Sequence, residues 1–257
     1  LVLERLADTE AIRKARLHPV AILAALLTYK AGRGARGSQV WNPVPQVIDA
    51  LDRAFYLAFG NVPRTGKRFY LGLDVSGSMA MGTVAGVPGL TPRVAAAAMA
   101  MTIARVEPFY HVAAFAGRFY GTRFAGHDLT APKMDPLDLS ARDSLETVCR
   151  KTDGLPFGAT DCALPMLDAM ARKIPVDCFV VLTDSETWAG KIHPVEALKQ
   201  YRRRMGMPAK LVVVGMVSNG FSIADPDDAG MLDVVGFDTA APNVISNFVA
   251  EKSEVLN

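Results

Sequence analysis

The chain has 257 residues, half of them hydrophobic and 21% charged, with a formal net charge of +2. That composition supports a full core and excludes a largely disordered or fibrous protein. Apolar runs such as 94–103 and 178–182 fall far short of the roughly 20 residues of a membrane span, and three cysteines without metal-ligand spacing exclude a disulfide-built secreted scaffold.

The opening residues carry no apolar signal-peptide core and read as entering partway into a helix, so the chain is expected to be the C-terminal part of something longer, working in the cytoplasm. Leu3, Leu6, Ile12 and Leu17 recur at helical spacing until His18-Pro19 interrupts them. Pro19 then suits the first turn of a second helix, and Gly32-Arg33-Gly34-Ala35-Arg36-Gly37-Ser38 breaks it into a flexible basic loop. A third helix is expected over 45–59, with Val47, Ile48, Leu51, Phe55 and Phe59 on one face.

From residue 68 strands and helices alternate. Residues 68–73 form a β-prone run ending in Asp74, and 91–106 is an alanine-rich helix capped by Thr91-Pro92. Residues 109–115 and 118–124 read as two strands joined at Ala116-Gly117, and 136–149 and 161–172 read as helices. An apolar strand at 177–182, a helix at 193–204, a strand at 210–214 and a helix at 242–249 complete the series. The alternation predicts an α/β fold with a doubly wound, mostly parallel sheet flanked by helices and preceded by a few α-helices. The expected division is 1–66, helical, and 67–257, α/β. Charge divides in the same way: residues 1–68 hold 11 Lys/Arg against 5 Asp/Glu, the rest 17 against 21, which points to two tasks.

In such a sheet ligands bind beyond the carboxyl ends of the strands, near the reversal of strand order. The sequence puts Asp74-Val75-Ser76-Gly77-Ser78 after the first strand, Gly158-Ala159-Thr160-Asp161 at a helix start, and Thr183-Asp184-Ser185-Glu186 after the strand at 177–182. Alternate residues of an extended tip point the same way, so Asp74, Ser76 and Ser78 can aim three oxygens at one point. Asp74 and Ser76 alone would serve equally well as a helix cap. Three oxygen clusters at three sheet tips instead suit a hard divalent cation, Mg²⁺ or else Mn²⁺ or Ca²⁺.

This pattern resembles the metal-ion-dependent adhesion site of von Willebrand factor type A domains. The resemblance implies that Ser76, Ser78 and Thr160 coordinate the metal, that Asp74 and Asp184 act directly or through water, and that one position stays open to an acidic ligand. A narrower resemblance adds Thr28 through Gly34 and Trp41, the run Leu51-Asp52-Arg53-Ala54-Phe55-Tyr56, Thr65-Gly66-Lys67-Arg68, Gly158-Ala159-Thr160-Asp161-Cys162, Pro194 and the run 218–228. Together these are similar to the Ro autoantigen (TROVE) family, in its bacterial form, which joins a ring of HEAT-like helical repeats to a C-terminal type A domain. The resemblance implies a non-catalytic RNA-binding protein whose partners are small noncoding Y RNA, misfolded RNA and exoribonucleases of ribosomal RNA maturation, with no membrane role and a monomeric state. Ala159 stands where a second Gly is common, which puts only the loop conformation in question.

Lys30, Arg33 and Arg36 are the leading phosphate contacts, among wider basic candidates (Arg13, Lys14, Arg16, Arg64, Lys67, Arg68), with Tyr29 or Trp41 as stacking faces; a solvated helix face is the plainer reading. The four histidines are scattered, and the sequence holds no nucleophile elbow and no phosphate-binding loop. Two other readings stay open: a type A protein-interaction module without an RNA role, and a metal-dependent hydrolase using Asp74 with Glu186 as base. Asp225, Asp227 and Asp228 read as a turn more readily than as a second cation site.

Overall fold

The computed structural model describes residues 2–34, 37–116, 123–124, 127–128, 133–153, 155, 160–184, 190–217, 223–237 and 241–251. The first apolar run is split into α1 (Val2–Ala7) and α2 (Thr9–Lys14) because the Asp8 carboxylate accepts hydrogen bonds from the backbone N–H groups of Glu10 and Ala11, capping the second helix. Helix α3 (Pro19–Lys30) starts on Pro19, as its fixed φ favours, and His18 caps it through Nδ1. Helix α4 (Pro45–Leu57) continues into a short 3₁₀ turn, Ala58–Asn61.

The sheet contains β1 (Arg68–Asp74), β2 (Phe109–Ala116), β5 (Lys133–Pro136), β6 (Cys178–Thr183), β7 (Lys210–Gly215) and β8 (Met231–Val235), while β3 (Arg123–Phe124) and β4 (His127–Asp128) form a separate two-stranded ribbon. The remaining helices are α5 (Pro92–Val106), α6 (Leu145–Asp153), α7 (Leu164–Ala171), α8 (Pro194–Met205) and α9 (Ala241–Ala250). Strand order is β5-β2-β1-β6-β7-β8, and every pairing is parallel except β2 with β5. This is the expected doubly wound α/β sheet. Its order reverses at β1 and β6, whose carboxyl ends carry Asp74 and Thr183.

The period-two alternation of β1 divides the core. Phe69, Leu71 and Leu73 face a layer that includes α5 and α9, whereas Tyr70 faces α7 and α8. Every residue of β6 is buried, and each of its large aliphatic side chains contributes about 1.5–3 kcal/mol to the folded state. Gly72 sits opposite Pro165 of α7: a Cβ there would lie 2.5 Å from the proline ring, so this crossing needs glycine. The N-terminal helices share the first core, with Ile12, Leu23 and Phe55 in the same cluster as Leu71 and Val180. Arg105 lies over the rings of Tyr56 and Phe59 at 4.8 and 4.9 Å, fastening α4 to α5.

The structure departs from the expected elements in three places. The antiparallel neighbour of β2 is β5, a strand not anticipated; of the run expected as a strand over 118–124, residues 118–122 lie outside the described residues, and Arg123–Phe124 pairs with His127–Asp128. Helix α6 begins at Leu145 rather than at 136. Pro136 still belongs to β5, and the Thr147 N–H donates to the Ser144 hydroxyl oxygen, the bond that starts a helix. The edge strand β8 had no clear pattern, because only one of its five residues is buried. No helix among the described residues is long and apolar enough to cross a membrane.

Candidate functional site

The site is built around one buried carboxylate. Asp74 closes β1 and is 1% exposed. Its Oδ1 accepts the Ser76 N–H at 2.8 Å, which turns the chain so that Ser76 and Ser78 lie side by side, Oγ to Oγ 3.1 Å. Met79, fully buried, anchors the short 3₁₀ turn Gly77–Ala80 that follows. Ser76 is buried and Ser78 exposed, so the pair runs from the protein interior to solvent.

The other oxygens arrive from distant parts of the chain. Thr160 donates to Asp74 Oδ2 at 3.3 Å, and Thr183, at the tip of β6, donates to the same oxygen at 2.7 Å. Thr160 is held by its neighbour Asp161, whose buried carboxylate accepts the Ala163 N–H and shapes the turn into α7. Gly190 closes over that carboxylate; with φ near +107° and a would-be Cβ 2.4 Å from Asp161 Oδ2, the position needs glycine. Burial also raises the Asp161 carboxyl. Asp74 itself is pushed up to about 6, chiefly by burial and in small part by the charge of Asp184; bonds from Thr183 and Ser76 oppose the rise. Its charged form therefore sits in a place that favours a compensating positive charge.

Asp74, Ser76, Ser78 and Thr160 are thus brought together, and half-buried Asp184 is near enough for its charge to act on Asp74. Gly158, Ala159, Ser185 and Glu186 lie outside the described residues, as do Arg36 and residues 218–222. Among the described residues no group of three His, Cys, Asp or Glu side chains gathers, so a cation held by the described side chains would take hydroxyl oxygens. The donor set fits that demand. Thr183 is the residue without an assigned role in the sequence reading, although it stands in the quoted tip; strand alternation places its side chain opposite that of Leu182, and only the sheet shows that it reaches Asp74.

The basic loop is more ordered than a flexible linker. The Trp41 N–H bonds the Gly32 carbonyl, Arg33 and Val40 form an antiparallel bridge, and the Gly34 N–H reaches the Gln39 carbonyl, making a hairpin whose tip lies outside the described residues. Trp41 stacks on Tyr29 with ring centres 6.0 Å apart and donates its indole N–H to the Tyr29 carbonyl, so the two rings cover each other. Lys30 and Arg33 are exposed, whereas Arg13, Arg64 and Arg68 are engaged by Glu10, the Val106 carbonyl and Asp177. Asp225 and Asp228 pair with Lys199 and Arg202, as a turn would have them.

Residues 68–249 match the family described as Ro60 vWA domain. The chain is 50% identical over 247 residues to the RNA-binding protein RO60 of Deinococcus radiodurans, covering 96% of this chain and 44% of the relative. It is 40% identical over 252 residues to RNA-binding protein RO60 of Caenorhabditis elegans, covering 98% and 36%. The crystal structure of the Deinococcus radiodurans RO (RSR) protein superposes with a TM-score of 0.86 at 49% identity, covering 97% of this chain and 47% of that one. The chain therefore spans less than half the length of these relatives.

Proposed function

Because the chain belongs to the Ro60 vWA-domain family, we propose that it serves a Ro-like, non-catalytic RNA-binding protein in which the helical end contributes to RNA binding and the α/β part holds a divalent cation for an acidic ligand. The observation that carries this reading is the extent of the likeness: 50% identity covers 96% of the chain, helices and basic hairpin included, and not the sheet alone. On this reading the RNA ligands are small noncoding Y RNA and misfolded noncoding RNA, bound beside a HEAT-like ring. Exoribonucleases are the associated enzymes, and the protein works in the cytoplasm as a monomer.

Ser76, Ser78 and Thr160 would hold the cation through hydroxyl oxygens, with Asp74 and Asp184 direct or through water. When bound, Mg²⁺ or a similar ion supplies a hard positive anchor for a partner's carboxylate. The chain's own residues do the positioning. Asp74 gathers three groups onto its two oxygens, Thr183 fixes the rotation of that carboxylate, and Ser78 brings the cluster to the surface. Neutral hydroxyls among the ligands leave an ion enough charge to attract an anion.

The test uses the intact protein. RNA affinity should fall log-linearly with salt, as phosphate neutralisation requires. Asp74→Ala combined with Asp184→Ala should abolish Mn²⁺ binding measured by calorimetry and release acidic protein partners while leaving RNA bound. Loss of RNA with retention of all protein partners would overturn this division of labour.

A further inference from the structure

The basic hairpin does not face open solvent on every side. Arg33, Gly34, Ser38 and Gln39 lie across from Gly86 and Pro88, on the loop that leads away from Ser78, and the two segments enclose a solvent-open cleft of about 310 Å³. That volume is at the lower end of the ~300–1,000 Å³ of small-ligand sites, the size of one nucleotide. Among the described residues no carboxylate lines the cleft. Arg33 is exposed and makes no ion pair among the described residues, so its planar fork is available for two parallel bonds to a phosphate.

The rest of the lining suits the same ligand. Glycine at 34, 37 and 86 leaves backbone uncovered, so a phosphodiester can approach closely. Ser38 and Gln39 offer both donors and acceptors, and the Pro88 ring offers an apolar face to a base or sugar. The hairpin's bridge and the Tyr29–Trp41 stack fix its base before any ligand arrives, which lowers the ordering cost of binding. A volume of about 310 Å³ is too small for a duplex, and a cleft open to solvent suits a continuing strand better than an enclosed mononucleotide.

We infer that this cleft seats one nucleotide of a single-stranded RNA, its phosphate on Arg33, between the helical part and the loop of the oxygen cluster. The inference rests on the RNA-binding reading above and adds a contact on the α/β part to it. The probe is a uridine-rich single-stranded oligoribonucleotide of roughly 12 nucleotides carrying 4-thiouridine, bound to the intact protein and photocrosslinked. Crosslinks are expected in residues 33–40 and 84–90, and a duplex of the same sequence should give none there. Arg33→Ala should weaken binding several-fold and lower the salt slope by roughly 1. Ser38→Tyr, which fills the cleft without changing charge, should weaken binding with the slope unchanged. If RNA binds normally to both variants and crosslinks elsewhere, the cleft assignment is wrong and the RNA reading survives. If the wild-type protein shows no salt-sensitive RNA binding, the RNA reading falls and takes this inference with it.

Discussion

The two ends of the central sheet each bury a carboxylate, and the partners of the two differ in proportion. At the amino end of β1, Glu107 is 6% exposed and accepts the Thr65 N–H, the Thr65 hydroxyl and the Gly66 N–H at 2.7–2.9 Å. Beside it, Arg68 forks onto Asp177 and Arg64 bonds the Val106 carbonyl. At the carboxyl end, Asp74 meets the hydroxyls of Thr160 and Thr183 and one N–H. Two of the three groups on Glu107 are backbone N–H groups, which can only donate, and the Thr65 hydroxyl already accepts the Lys67 N–H, so the Glu107 end fastens the linker between helices and sheet. A hydroxyl that donates, as that of Thr160 does to Asp74, keeps its acceptor capacity, which is what the proposed cation would use. Similar burial makes a clamp at one end and a candidate site at the other.

The largest expected effect breaks the clamp. Glu107→Ala removes three hydrogen bonds made to a buried carboxylate and should cost about 3 kcal/mol in urea unfolding while leaving Mn²⁺ affinity unchanged. A comparable loss of metal binding would show that the two ends are coupled. The reverse experiment, Asp74→Ala, should lower Mn²⁺ affinity roughly hundredfold, with stability changing far less than in the Glu107 variant.

Acid supplies a third comparison, because the helical part also hides a titratable group. His18 is 7% exposed, its Nδ1 accepts the Val20 N–H, and its Nε2 has no partner among the described residues. Burial lowers it from 6.5 to about 4. The unfolded chain therefore takes up the proton first as pH falls, and the folded state loses about 2 kcal/mol between pH 7 and 5 from this group. His18→Asn, which keeps a capping side chain, should flatten that part of the stability profile. An unchanged profile would remove His18 as its cause. The smallest effect sharpens the site: Thr183→Val keeps the shape but deletes the 2.7 Å bond to Asp74, and Mn²⁺ affinity should fall about tenfold with Asp74 still in place.

Much of this architecture is legible in local pattern. The apolar runs of β6 and β7, Pro19 and Pro92 at helix starts, and the alanine-rich α5 all appear where their sequence places them, because element type depends on neighbours a few residues away. The oxygen-bearing tips are legible for the same reason: an extended strand end fixes which side chains share a side.

What tertiary structure alone decided is which of these pieces meet. β5 takes the place beside β2, and β8 gains its place from hydrogen bonds to β7, not from its own half-exposed residues. Thr160 and Thr183 reach Asp74 across 86 and 109 residues of chain, and the hairpin finds the Gly86–Pro88 loop across some fifty. Periodicity fixes the direction of a side chain within its element. The distance between elements is set by how helices and strands share one core, and no short stretch of sequence contains that information.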